Sequence, residues 1–422
     1  MEKKIKTRKS PIEKTVKVVG SKSMTNRALL MAALSDGQCT IKNVLLSDDS
    51  RYFLKSLISL GFSVEISEES ESVKISGLSG EIPKKEGEIY VGSAGTAARF
   101  LTAMLAFSDG VYRVNSSEQM KKRPMKDLFV ALEKMGVSFD FEEKEYSFPV
   151  VIHGKHIFDG EAEIDISSST QYLSALMMAG VTCKNLSIKV TSAKKGGSYV
   201  NITKKQMAEF GANVSFDGEC YFVSGKYKAG EYFVEPDVSA ACYFYSMPML
   251  LGGKVTVKGV HLSSCQGDIK FLKVLEKKGA KLEEGEEGLS LSFEGEYDGF
   301  DENMNDFSDQ SLTLAVLAAY AKTPTKISGI AHVRGQECDR IKAICTNLAS
   351  LGAKAEETED GVIITPRPLH GAKIETFDDH RVAMAFALAG LKTENVVIKN
   401  AECCKKTFEN YFEVFEETTV EK

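Results

Sequence analysis

The sequence predicts an α/β protein of two domains, each assembled from three similar βαβαββ-like units, and three observations predict it. A strongly apolar, Ala-rich helix with a short polar start recurs at intervals of roughly seventy residues. An amphipathic helix ending at glycine alternates with it, and β-patterned stretches such as VKVVG, QCTIKNV, VYRVN, LSIKV, KVTVKGV and ENVVIKN lie between them. At 422 residues the chain also exceeds the usual size of one hydrophobic core.

The apolar helices begin near Ser21 (SKSMTNRALLMAAL), Ser93 (SAGTAARFLTAMLAF), Ser168 (SSTQYLSALMMAG), Asp237 (DVSAACYFYSMPML), Ser308 (SDQSLTLAVLAAYA) and Asp378 (DDHRVAMAFALAG). A helix that is apolar nearly all round belongs inside its domain, and an amphipathic one outside. The companion helices run into SLGFSVEI, KMGVSFDF, EFGANVSF, KKGAKLEE and SLGAKAEE. There Gly61, Gly136, Gly211, Gly279 and Gly352 suit the left-handed residue just past a helix end. A sixth companion, without the glycine, is expected from Thr407 to about Glu416. Three units per domain place one domain at 20–235 and the other at 1–19 with 236–422, the N-terminal strand returning to the second.

Composition narrows the function. With 43% hydrophobic and 27% charged residues the chain reads as globular. No apolar stretch approaches the roughly 20 residues of a membrane span, and MEKKIKTRKS leads into no signal-peptide core. A soluble, cytoplasmic protein is expected. Nine cysteines, an odd number without CxxC spacing, read as reduced thiols, not as disulfides or a metal site. The formal net charge is −6 and no dense Lys/Arg run recurs on one face, which argues against a nucleic-acid partner.

The starts of the buried helices carry the chemistry. Lys22, Ser23 and Arg27 open the first, Ser93, Thr96 and Arg99 the second, Ser169, Thr170 and Gln171 the third, Asp309 the fifth, and His380 with Arg381 the sixth. Parallel helices would bring their positive ends to one face of each domain, expected to line an inter-domain cleft. A cation there opposes the macrodipole at about 0.3–1 kcal/mol, a cost that an anionic ligand reverses. Arginine suits phosphate and carboxylate because its planar fork donates two parallel hydrogen bonds. Ser21, Ser93, Ser308 and Asp378 read as ordinary N-caps. Arg123, in QMKKRPM, reads equally well as part of a solvated charge run.

GSKSMTNRALLMAAL, SAGTAARF, MKKRPM, SSTQYLSALMM, SDQSLTLAVLA, RGQECDR, FDDHRVAMAFALAG and KKTF stand in this order along nearly the whole chain. Together they resemble the 5-enolpyruvylshikimate-3-phosphate synthase family. The resemblance implies two domains, each an inside-out α/β barrel of three units, that close over phosphoenolpyruvate and shikimate 3-phosphate. It implies no metal or organic cofactor, a monomer, and inhibition by glyphosate, with Gly95 lining the relevant pocket. Shikimate 3-phosphate would meet Lys22, Ser23, Arg27, Ser169, Thr170, Gln171, Ser198, Asp309, His332 and Gln336. Phosphoenolpyruvate would meet Lys22, Gly95, Arg123, Gln171, Arg340, Arg381 and Lys406. Asp309 would accept the proton of the attacking hydroxyl, with Lys22 polarising the same oxygen, and Glu337 would protonate carbon. Glu337 must then carry a proton when it acts, so partial burial is expected to raise its pKa against the neighbouring arginines.

The sequence departs from the family pattern at Gln336 and His332, where lysine and asparagine are common, and in SAGTAARF, where NAGTAMRP is commoner. Two other readings compete. The enolpyruvyl transferase acting on UDP-N-acetylglucosamine shares the fold but usually shows a G-x-K-N start and a loop cysteine, whereas GSKSMTNR and SSEQMKKRPM show neither. A homologue that only binds phosphorylated metabolites is suggested by Gln336 and His332 and opposed by Lys22, Asp309 and Glu337.

Overall fold

The computed structural model describes residues 1–421. Its contacts divide the chain into two compact units: Gly20–Val234, and Met1–Val19 together with the chain from Glu235 onward. Glu235 is the first residue of the second unit's long segment, because its carboxylate accepts hydrogen bonds from Ser264 Oγ (2.6 Å) and Gln266 Nε2 (3.2 Å).

One pattern builds both units. Glu86–Tyr90 pairs in parallel with Val111–Asn115, which pairs antiparallel with Val150–His153, and that strand pairs antiparallel with Ser138–Phe141. The buried helix Gly95–Ala106 makes the parallel crossover, and the companion Lys126–Lys134 leads into Ser138–Phe141. The same four-strand order recurs from Asp159–Ile164 to Cys220–Gly225 and from Asp301–Asn303 to Val362–Thr365. In the two remaining four-stranded sheets the outer parallel strand comes from elsewhere in the chain. Gly230–Phe233 joins Gln38–Lys42, and Ile12–Val16, which precedes the whole first unit, joins Gly253–Lys258. The last sheet has three strands, with Lys3–Lys4 lying antiparallel to Val397–Ile398.

Burial follows the two periodicities in the sequence. In the strand Ser72–Ser76, Val73 and Ile75 are fully buried while Lys74 between them is exposed, the alternation of a half-buried sheet. Every residue of the helices Gly95–Ala106 and Ser311–Ala318 is buried. Companion helices bury one face. Lys126–Lys134 buries Leu128, Phe129, Ala131 and Leu132, and Phe129 meets the rings of Phe139, Phe141 and Phe148 edge-on. Truncating a ring buried like this costs about 3–5 kcal/mol.

All five companion-ending glycines take positive φ, between 90° and 101°. At Gly352 the requirement is doubled, since an added Cβ would also lie 3.1 Å from His370 Cδ2 and from Pro368 O. The sixth companion starts later than expected, spanning Tyr411–Thr419. The preceding Ala401–Lys406 is wound as a 3-10 turn, which delays the α-helix.

Candidate active site

Within Gly20–Val234, polar side chains tie the starts of the three buried helices together. Asn26 Nδ2, on Lys22–Ala33, donates to Thr96 Oγ1 at 2.6 Å. Arg99 Nη1 donates to Gln171 Oε1 at 2.7 Å, linking Gly95–Ala106 to Gln171–Ala179. Arg27 is fully buried. It donates to Thr203 Oγ1 (2.7 Å), to the carbonyls of Ser23 (2.7 Å) and Tyr199 (3.3 Å) and to Ser174 Oγ (3.4 Å), with its guanidinium 5.1 Å from the centre of the Phe100 ring.

At the start of the second helix two cations converge. A Cβ on Gly95 would lie 2.7 Å from Arg123 Nη1 and 2.8 Å from Arg99 Nη1, so glycine is what lets both guanidiniums close on the helix end. Arg123 Nη1 also donates to Ser93 O at 3.4 Å. Two like charges gathered at a positive helix end repel each other and oppose the dipole, a conflict that a nearby anion relieves. Ser169 Oγ accepts from Gln171 N at 3.3 Å, and Thr170 occupies the N-cap position. Ser198 is the first residue of Ser198–Glu209; Gly197 before it lies against Thr170, its constructed Cβ 4.0 Å from Thr170 Cγ2.

In the other unit a single guanidinium organises the cluster. Arg340 is buried at the first position of Arg340–Leu351, with Asp309 at 2.7 Å, Glu337 at 2.9 Å and Asp379 at 2.9 Å. Asp309 also meets Arg381 Nη2 at 3.0 Å, and Glu337 meets Lys406 Nζ at 3.4 Å. Burial alone would lower the pKa of the Arg340 guanidinium, but Asp379, Glu337 and Asp309 together raise it further above its ordinary value. His332 Nε2 and Ser308 Oγ share a hydrogen bond of 2.8 Å, and Gln336 follows the short turn Ala331–Gly335. Asp309, His332, Glu337, Arg340, Arg381 and Lys406 thus belong to one unit, and Lys22, Ser23, Arg27, Gly95, Arg123, Ser169, Thr170, Gln171 and Ser198 to the other.

The helix-start cations are not simply waiting for a ligand, as sequence reasoning supposed. Lys22 Nζ faces the buried carboxylate of Asp49 at 3.4 Å, and Arg340 and Arg381 share Asp309, so internal anions already offset part of the dipole conflict. Asp49 and Asp379 were therefore missed. Their signal was the doubled acids of SDDS and FDDH, of which the first drew no reading and the second was read only for its N-cap. The capping assignments also change. Ser21 stands at an N-cap without a side-chain bond, and Ala94, not Ser93, caps the second helix. Ser308 bonds His332 instead. Asp378, at φ 57°, accepts from Asn400 Nδ2, and the cap is Asp379, which accepts from Arg381 N at 2.8 Å.

A family model for EPSP synthase (3-phosphoshikimate 1-carboxyvinyltransferase) matches residues 6–415. The chain belongs to this family. It is 41% identical over 409 residues to the 3-phosphoshikimate 1-carboxyvinyltransferase of Trichormus variabilis, covering 96% of each chain. The chloroplastic enzyme of Solanum lycopersicum is 39% identical over 427 residues, covering 96% of this chain and 82% of that one. Among solved structures, an EPSP synthase from Acinetobacter baumannii superposes with a TM-score of 0.83 at 24% identity, covering 99% of this chain and 98% of that one. The enolpyruvyl transferase NikO from Streptomyces tendae superposes at 0.76 and 15% identity, covering 100% and 97%. Those two likenesses concern the α/β fold. Among the described residues no group of His, Cys, Asp or Glu is arranged to hold a metal ion, and no helix is long and apolar enough to cross a membrane.

Proposed function

We propose that the chain transfers the enolpyruvyl (carboxyvinyl) group of phosphoenolpyruvate to the 5-hydroxyl of shikimate 3-phosphate and releases phosphate. Family membership over nearly the whole chain supports the reaction class. The observation that carries the assignment to residues is the Arg340 cluster, in which one buried cation holds Asp379 and two further carboxylates of different surroundings, Asp309 and Glu337.

Asp309 accepts the proton of the attacking 5-hydroxyl, and Lys22 polarises that oxygen. Glu337 gives a proton to the methylene carbon of phosphoenolpyruvate, and the hydroxyl oxygen bonds to the adjacent carbon. The resulting tetrahedral intermediate carries a methyl group. Departure of phosphate, with return of a methyl proton to the enzyme, restores the carbon–carbon double bond. The position of Glu337 beside Lys406 supports a proton path there, since the ammonium stabilises the carboxylate after the proton leaves.

Each substrate brings a phosphate of roughly −1.5 to −2 together with a carboxylate. Family membership supports assigning the phosphoenolpyruvate contacts to Lys22, Gly95, Arg123 and Gln171 of Gly20–Val234 and to Arg340, Arg381 and Lys406 of the other unit. The shikimate 3-phosphate contacts are assigned likewise to Lys22, Ser23, Arg27, Ser169, Thr170, Gln171 and Ser198 of Gly20–Val234 and to Asp309, His332 and Gln336 of the other unit. Nine cysteines, an odd number without CxxC spacing, support a reducing, cytoplasmic setting. Phosphate release from enzyme, phosphoenolpyruvate and shikimate 3-phosphate tests the reading, with UDP-N-acetylglucosamine as the control acceptor. Turnover with the control acceptor alone, or with neither, would overturn it.

A further inference from the structure

Asp268 stands just behind the catalytic turn and takes no part in the proton transfers assigned to Asp309 and Glu337. It is buried at the N-cap of Ile269–Glu276. Its carboxylate accepts hydrogen bonds from Gln310 Nε2 at 2.9 Å and from Ser239 Oγ. Gln310 is itself fully buried. It accepts from Thr313 Oγ1 at 3.0 Å and closes the turn Ser308–Gln310 that presents Asp309.

We propose that Asp268 is a positioning residue for the candidate base Asp309, fixing the Ser308–Gln310 turn through Gln310 and adding a negative charge behind it that strengthens Asp309 as a proton acceptor. The inference rests on the proposed enolpyruvyl transfer and deepens it.

The surroundings of Asp268 fit this role. From Val238–Tyr245 it meets Ser239, and its backbone carbonyl accepts from Cys242 Sγ at 3.6 Å; Asp237 caps the same helix. The Ser308–Gln310 turn contributes Gln310 and the charge of Asp309, and His380–Ala387 contributes the charge of Arg381. On its own helix, Lys270 is exposed and turned to Asp306 at 2.7 Å. In the preceding loop, Gln266 is engaged with Glu235. Burial, then the charge of Asp309, push the Asp268 carboxyl up to about 6, partly opposed by Arg381. Such coupling is mutual, so an ionised Asp268 raises the proton affinity of Asp309 in turn.

The test compares the pH dependence of kcat/KM for phosphate release in the parent, Asp268→Asn and Ser239→Ala enzymes. Asp268→Asn keeps hydrogen-bond acceptance but removes the charge. Its acid limb is expected to move to lower pH, with kcat falling about tenfold near pH 7.5 as Asp309 becomes a weaker proton acceptor. Ser239→Ala removes a donor to the ionised form, so its acid limb is expected to move to higher pH. A scaffold role alone would scale both profiles without shifting them, and profiles superimposable after scaling would overturn the proposal. If Asp268→Asn does not fold, Ser239→Ala decides alone: a raised limb supports the proposal and an unmoved one overturns it. A parent enzyme that releases no phosphate would overturn the enolpyruvyl-transfer assignment and this inference with it, whereas an active parent with unshifted variants overturns this inference only.

Discussion

Replacing Arg340 with methionine tests the organisation of the carboxylate cluster. The guanidinium is 1% exposed and holds three carboxylates within 2.9 Å, whose side chains are 15%, 8% and 0% exposed. Methionine fills much of the volume without charge. Asp309 keeps Arg381 at 3.0 Å and Glu337 keeps Lys406 at 3.4 Å, but Asp379 loses the guanidinium that both its oxygens address. Removing one partner of a buried ion pair costs about 3–5 kcal/mol, chiefly through the charge left behind. With a urea dependence of about 2 kcal/mol per molar, the midpoint should drop by roughly 1.5–2.5 M. The chain has no tryptophan, so far-ultraviolet circular dichroism is the suitable probe. The loss should fall on the transition of the unit containing Arg340, while that of Gly20–Val234 stays in place. A midpoint within about 0.3 M of the parent would refute the reasoning, because the three carboxylates would then be held by something other than this cation.

Lys22→Met should lower kcat for phosphate release by about 10²–10³ and also destabilise Gly20–Val234, because the buried Asp49 loses its ammonium; stopped assays and urea melts measure the two effects separately. Gly95→Ala should keep the fold, with Tm within about 2 °C, since the added methyl meets the ends of two flexible side chains. The displaced guanidiniums should nevertheless cost about ten- to hundredfold in kcat/KM for phosphoenolpyruvate, read by steady-state kinetics. For Asp268 the folded pKa, about 6, lies above the unfolded one, so its stabilising contribution is complete below about pH 4 and is lost as pH rises through 6. Asp268→Asn should therefore remove a loss on the order of 2–3 kcal/mol between pH 4 and 7, visible as a flatter dependence of the urea midpoint on pH.

What could be read from the sequence was local or periodic. The glycines ending the companion helices were legible because a left-handed residue is a requirement of its own position, and the buried helices because each shows its apolarity over a dozen contiguous residues. The electrostatics of the site were not legible, because its contacts join distant residues. Arg340 reaches Asp309 across 31 positions and Asp379 across 39, and no local pattern says which carboxylate a cation will meet. The capping error at the sixth buried helix has a local cause. Phe377 and Asp378 both take positive φ, which turns the chain and passes the cap to the second aspartate.

The parallel partnership of Ile12–Val16 with Gly253–Lys258 bears on how the molecule is made. On a ribosome the early strand emerges first, yet about 240 residues must be added before its neighbour exists, a delay of roughly ten to fifty seconds at 5–20 residues per second. During that interval its hydrogen-bonding groups have no native mate. The intervening segment holds the strands of its own sheets and can fold in the meantime, so the nascent chain is expected to complete its middle before its beginning.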